Sequence, residues 1–236
     1  MQTQINLYFI KNLFIHSIMS IFNTIYKYNL WGNGSGTGSI PWNNYKYIEF
    51  IKDILKNKNI NNIVEIGCGD YRLWENIKYS GNYIGLDIVD SVIVNNNLKY
   101  KNEKIAFLNL DISKSILKKD NIDLIVVKDL FIHLSNETIS KIINNIIAMK
   151  PKYILITEDT HYFNLRYDIL NGMYRPLYID MYITKGYNLE QVEFYYEITY
   201  IIYLCIIAIL TLFNKIFLFF LILWIPRKKI SLFVNE

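Results

Sequence analysis

Between residues 62 and 159 the chain alternates short, continuously apolar runs with stretches of helical periodicity: NIVEIG (62–67), NYIGLDI (82–88), KIAFLNLD (104–111), DLIVVKD (123–129) and KYILITED (152–159). A strand covered on both faces of a parallel sheet reads as an unbroken apolar run, and the intervening segments supply the covering helices. The pattern predicts a doubly wound, mostly parallel α/β sheet. Helices are expected after Asp70, near 91–100 and near 136–149. The last has Ser135 as N-cap, Glu137 in its first turn, one face of Ile139, Ile142, Ile143, Ile146 and Ile147, and Pro151 as its stop. Upstream, Ile48, Ile51, Ile54 and Leu55 mark a helix over 43–58. Leu7, Ile10, Phe14, Ile18, Ile21 and Ile25 mark an amphipathic helix within 1–30; Lys11, His16 and the lack of an Ala-x-Ala-like site argue against a cleaved signal peptide.

The far end reads differently. Of the 28 residues 198–225, 24 are apolar, and Pro226-Arg227-Lys228-Lys229 follows. About 20 such residues suffice to cross a bilayer, and a basic flank favours the cytosolic side, so an apolar helical tail that spans a membrane is expected. In the competing reading 193–197 and 200–204 are the last two strands, which leaves Lys215 near the middle of a shorter span at a cost of roughly 3 kcal/mol. The expected organisation is an N-terminal helix and Gly-rich loop (1–42), a catalytic domain (43–197, or to 205 in the competing reading) and a membrane-anchoring segment (198–236). The catalytic domain is expected on the cytosolic face of a membrane, or otherwise in the cytoplasm.

Composition changes this picture little. With 236 residues, 52% apolar and 19% charged, the chain builds one full-sized core, which excludes a disordered segment, a collagen and a heptad rod. Ile and Asn are abundant and Ala is scarce, a skew better explained by AT-rich codons than by structure, so single Ile and Asn positions carry little weight. A net charge of +4, spread along the chain, is not the concentrated basic footprint of a nucleic-acid binder. Two cysteines, Cys68 and Cys205, make neither a disulfide framework nor a zinc site and fit a reducing compartment; His16 and His161 lack partners at metal-ligand spacing.

Val64-Glu65-Ile66-Gly67-Cys68-Gly69-Asp70 is a strand with an acidic residue near its end and a turn through two glycines into a helix. Glycines let a ligand approach the main chain, and the helix that follows offers unpaired N–H groups. A dinucleotide loop would read G-x-G-x-x-G, whereas Tyr71 and Arg72 follow here. The segment resembles instead the first motif of class I S-adenosylmethionine-dependent methyltransferases, which have a Rossmann-like sheet. The resemblance extends to Asp87 at the end of Tyr83-Ile84-Gly85-Leu86-Asp87, to Asp111 after Leu108-Asn109-Leu110, and to Val126-Val127-Lys128-Asp129-Leu130-Phe131-Ile132-His133-Leu134. It implies S-adenosyl-L-methionine as cofactor. Glu65 would lie near its ammonium, Gly67, Gly69 and Asp70 along its amino-acid end, Asp87 on the ribose hydroxyls, Asp111 near the adenine, and Lys128 between cofactor and acceptor. Asp70 and Asp111 are equally suited to cap helices. Within the family, the WGNGSGTGS (31–39), CGD, KDLFIHL and GMYRPL elements are similar to a bacterial and viral group with W-G-x-G-S-G-x-G-S and K-D-x-x-x-H-L motifs, over residues 30–197.

The chemistry this implies is methyl transfer to a hydroxyl or amine of a small-molecule, glycan or lipid-linked acceptor. His133 titrates near neutral pH and is the first candidate for a general base, with Asp129 the second; four residues apart, the carboxylate would orient the ring if both lie on one helical turn. Lys128 pairs with a carboxylate or with an anionic acceptor. Arg175, beside Tyr174, is a candidate clamp for the acceptor. The loop 31–39 is either a flexible linker or a cover folded over the ligand. Two other functions remain open: a degenerate methyltransferase fold acting as a membrane-tethered binding module, and a nucleotide-sugar or dinucleotide enzyme on the same sheet.

Overall fold

The computed structural model describes residues 18–160, 167–179, 182–183, 186–195, 201–202 and 227–235. Its framework is a seven-stranded sheet in the order β3-β2-β1-β4-β5-β7-β6. The strands are β1 (Asn62–Ile66), β2 (Asn82–Asp87), β3 (Ile105–Asn109), β4 (Leu124–Lys128), β5 (Tyr153–Thr160), β6 (Tyr187–Tyr195) and β7 (Arg227–Asn235). The first five are parallel, each within two residues of its predicted run, because their apolar side chains are covered on both faces. Val64, Ile125, Val127, Ile154 and Ile156 belong to the core on one face, and Ile63, Leu124, Val126 and Leu155 to the core on the other.

The helices are α1 (Ile18–Lys27), α2 (Tyr45–Asn57), α3 (Arg72–Ile77), α4 (Asp90–Tyr100) and α5 (Asn136–Ala148). Helix α5 starts as expected, with the Ser135 hydroxyl accepting from the Thr138 amide at 3.3 Å. From α1, Phe22 and Ile25 are buried in the first core. Residues 1–17 of the expected N-terminal helix lie outside the described residues.

The structure corrects the reading of the C-terminal region. The strands of the competing reading, 193–197 and 200–204, are not the last pair. Strand β6 begins at Tyr187, and the seventh strand is Arg227–Asn235, inserted antiparallel between β5 and β6. The sheet therefore extends past the expected boundary at 197. The basic cluster read as a membrane flank lies in this strand, where Lys228 stands opposite Asp159 and Lys229 opposite Glu158. Charge pairing across two strands, not a membrane potential, accounts for that cluster. The apolar residues 203–226 lie outside the described residues. Among the described ones no helix is long and apolar enough to cross a membrane.

Candidate functional site

All five parallel strands end at one edge of the sheet, and there a cavity of about 300 Å³ opens against the turn after β1. The turn runs through Gly67 and Gly69 at φ +72° and +51°, conformations that favour glycine. Its walls include Glu65, Asp70, Asp87, Asp111, Lys128, Asp129, His133 and Tyr174, so the structure brings together every predicted side chain except Arg175.

On the β1–β3 side, Asp87 closes β2, buried, with its carboxylate accepting from the Gly69 amide at 3.1 Å and the Val89 amide at 3.0 Å. Burial pushes its carboxyl up, and these amides oppose the shift. Each oxygen has two lone pairs, so two amides leave capacity for ligand hydroxyls. Glu65 lies deeper, accepting from the Tyr83 hydroxyl, and burial pushes its carboxyl up to about 8. Asp111 lines the cavity and also holds the next turn, accepting from the Ser113 amide at 3.0 Å and the Ser113 hydroxyl at 2.5 Å.

The segment 31–39 is a cover on this site and not a free linker. The Ser35 amide donates to Asp70 Oδ2 at 3.3 Å, and the Asp70 amide donates back to Ser35 Oγ at 3.0 Å. Arg72 pairs with Asp70, donates to Ser39 Oγ at 2.8 Å and reaches the Asn33 carbonyl. The approach is close: a Cβ at Gly69 would stand 2.5 Å from Ser35 Oγ. Asp70 thus anchors this loop, and its other carboxylate oxygen accepts from the Arg72 amide at 3.4 Å, at the first residue of the helix. Lys128 fastens the loop's other end by donating to the Gly38 carbonyl at 2.8 Å.

The opposite wall is ionic. Asp129 sits at φ +53°, its carboxylate 2.5 Å from Lys128 Nζ and 3.1 Å from Lys228 Nζ, and it accepts from the Thr157 hydroxyl at 2.8 Å. The two ammonium groups hold its carboxyl well below the usual range. Lys228 also pairs with Asp159 at 2.8 Å, and Asp159 accepts from the Tyr174 hydroxyl at 3.0 Å.

Two expected arrangements are not found. Asp129 and His133 do not share a helical turn, because Asp129 is left-handed and only Phe131–His133 forms a short 3₁₀ turn. His133 is held instead by the Met173 carbonyl, 3.0 Å from Nδ1. A carbonyl only accepts, so Nδ1 carries the proton and Nε2 of the neutral ring is the acceptor. Trp31 stacks on the ring at 4.8 Å, and burial pushes the imidazole below its ordinary value. Arg175 is no clamp for a ligand. It is 2% exposed and donates to the Leu134 carbonyl at 3.1 Å, to Asn136 Oδ1 at 2.6 Å and to the Tyr167 carbonyl, a strut under the loop that carries Tyr174.

Sequence reasoning missed Trp31, Thr157, Asp159 and Lys228. A signal for the last two exists: Glu158-Asp159 in one strand and Lys228-Lys229 in the other are complementary when the strands run antiparallel.

Residues 64–149 match the family model described as a methyltransferase domain. No curated protein sequence matches it. Among solved structures, the N-methyltransferase NodS of Bradyrhizobium japonicum is 14% identical, with 83% of this chain and 97% of that one covered and a TM-score of 0.57. An S-adenosylmethionine-dependent methyltransferase of Mesorhizobium loti is 12% identical, covering 81% of this chain and 97% of that one, at a TM-score of 0.53. The magnesium protoporphyrin IX methyltransferase of Synechocystis, with bound SAH, is 12% identical, covering 81% and 82%, at 0.51. At these identities the likeness is one of fold.

Proposed function

We propose that the chain is an S-adenosylmethionine-dependent methyltransferase acting on a hydroxyl or amine of a small-molecule, glycan or lipid-linked acceptor. One observation carries the reading: a single cavity has the Gly67–Gly69 turn, Glu65 and Asp87 on one side and His133 on the other. The donor set fits the cofactor, with carboxylates for an ammonium and for ribose hydroxyls and a backbone turn with no side chains in the way. The volume, about 300 Å³, lies at the lower end of the usual range for small-molecule sites. When bound, the sulfonium supplies an electrophilic methyl group.

The chain's own residues then do the following. Asp87 accepts from the ribose and Glu65 faces the ammonium, while Asp111 lies toward the base. The 31–39 loop, pinned by Asp70, Arg72 and Lys128, excludes water. His133 Nε2 takes the proton from the acceptor as it attacks, and the Met173 carbonyl holds the tautomer that leaves Nε2 open. Asp129 is a positioning residue: with both oxygens engaged and its carboxyl held low, it is a poor proton acceptor. Much of the rate comes from alignment of acceptor and methyl group. The position of the 31–39 loop, folded over the first motif, also supports the narrower resemblance to the W-G-x-G-S-G-x-G-S group. We place the protein at a membrane surface with this domain on the cytosolic side.

Calorimetric titration of the full chain with S-adenosylhomocysteine tests the reading. Binding that falls at least about 30-fold in Asp87→Ala, a loss of about 2 kcal/mol, is expected. No binding by the folded protein, or equal binding by the variant, overturns it and favours the binding-module alternative.

A further inference from the structure

Among the described residues one hydrogen bond holds the His133 ring, between Nδ1 and the Met173 carbonyl at 3.0 Å. A single bond fixes one atom of the ring and leaves its plane free, because the torsion between Cβ and an imidazole is broad. A second contact sets the plane. The Trp31 indole lies over the ring with centroids 4.8 Å apart and planes 30° apart, a stacked arrangement. Tyr174 approaches at 6.0 Å with its ring tilted by 52°, so among the described rings the indole alone lies flat against the imidazole. Asp129, Asp159 and Lys228 lie near enough to act on the ring through their charge, yet none of them is bonded to it.

The indole is itself closely held. Phe22 and Tyr26, on one face of α1, meet it edge-on at 5.7 and 5.9 Å. The residues flanking Trp31 are pinned to the end of that helix, with the Leu30 amide on the Ile25 carbonyl at 2.9 Å and the Gly32 amide on the Asn29 carbonyl at 3.0 Å. The loop then folds back, and a Cβ at Gly36 would stand 3.5 Å from the Trp31 Cβ. The Tyr26 hydroxyl is bonded to Ser35 Oγ at 2.8 Å, the same oxygen that accepts from the Asp70 amide. From the turn after β1 through Ser35 and Tyr26 to Trp31 and His133, every step is a contact. A cover that only excluded water would need a bulky apolar side chain at 31, not a flat one braced on two edges and laid on the imidazole.

We propose that Trp31 is a positioning residue for His133: its indole fixes the plane of the imidazole while the Met173 carbonyl fixes its rotation, so that Nε2 is presented to the acceptor at a set place. The role rests on the reading of His133 as the base. It gives the 31–39 segment a task beyond closing the cavity, since the residue that opens the segment orients the base and the residues after it grip the cofactor side.

Nitrogen-15 spectra of the imidazoles in the full chain at about pH 8, where histidine is neutral, test this without any cofactor, and His133→Gln identifies the signals. The parent is expected to show Nδ1 protonated, Nε2 bare, and cross-relaxation between indole and imidazole protons. Trp31→Leu keeps an apolar cover and removes the flat face. The ratio of the Nδ1–H to the Nε2–H form should then fall about 3- to 10-fold, the range for loss of one aromatic pair, and Trp31→Phe should restore most of it. A merely structural role would lower the melting temperature and leave that ratio alone. The parent ratio retained in Trp31→Leu, or a Trp31→Phe protein that behaves like Trp31→Leu, overturns the proposal. So does a parent with Nε2 protonated or without indole–imidazole cross-relaxation, and these two observations need no variant to fold. Calorimetry of the parent with S-adenosylhomocysteine decides the methyltransferase reading separately, so failure of the one and failure of the other are distinguishable.

Discussion

Lys228→Met separates the structural reading of the basic cluster from the membrane-flank reading. Methionine keeps much of the lysine's volume and removes the charge. The ammonium it replaces is 5% exposed and lies 3.1 Å from Asp129 and 2.8 Å from Asp159. Lys128 and Thr157 would still hold Asp129, and Tyr174 would still donate to Asp159, so the two carboxylates are weakened and not abandoned. Breaking a buried pair costs about 3–5 kcal/mol, and protonation sets a ceiling, since lifting a carboxyl from about 3.9 to 7 costs about 4 kcal/mol. A loss of about 3–4 kcal/mol at pH 7 follows, or about 6–16 °C in the melting temperature of a domain this size. The pH dependence has a definite sign. Asp129 is held low when folded, so its stabilisation is present above the unfolded value near 3.9 and is lost as pH falls toward the folded one. The gap between parent and variant should therefore narrow as pH falls below about 3.9. Calorimetric melts at several pH values read both effects. A change below about 1 kcal/mol at pH 7, as expected for a surface ion pair, would falsify the buried-network argument.

Three further outcomes follow from the site. Glu65→Gln should raise the melting temperature near pH 8 and abolish most binding of S-adenosylhomocysteine: the folded carboxyl titrates near 8 and the unfolded one near 4.5, so the parent loses stability as pH rises between them and the amide does not. A parent whose stability is flat over that window refutes the assignment. The ring protons of His133, one of only three histidines, should titrate by NMR below the ordinary value near 6.5, and a midpoint above it would remove the neutral base. Arg175→Ala should cost about 2–4 kcal/mol in urea unfolding, because buried carbonyls lose their donor, while affinity for S-adenosylhomocysteine changes less than twofold; a stable variant would restore Arg175 as an acceptor clamp.

The parallel half of the sheet was legible because each strand there is buried on both faces and leaves its polar residue at the same end. That regularity carries Glu65, Asp87 and Asp111 to one edge without knowledge of any contact. What stayed hidden depends on pairing or on handedness. Strand β7 carries three consecutive basic residues behind an apolar stretch, a local pattern that a membrane flank shares, and only its register against Glu158 and Asp159 reveals the strand. Arg175 looked exposed because arginine usually is, and its burial depends on the carbonyls of Leu134 and Tyr167, which no side-chain pattern records. Asp129 and His133 have helical spacing in the sequence, yet the left-handed Asp129 turns the chain and gives the ring to the Met173 carbonyl.

Strand β7 is made after the other six strands yet belongs inside the sheet, between β5 and β6. Closing a connection of this length instead of a turn of about four residues costs about 2 kcal/mol of chain entropy before any contact repays it. During synthesis β6 has no strand beside it, and Asp129 and Asp159 await their shared cation, until residues 227–235 arrive. A ribosome-bound chain stalled inside the apolar stretch would hold the cofactor-side strands in order with an unfinished opposite wall, so completion of the site waits on synthesis of the last nine residues of the sheet.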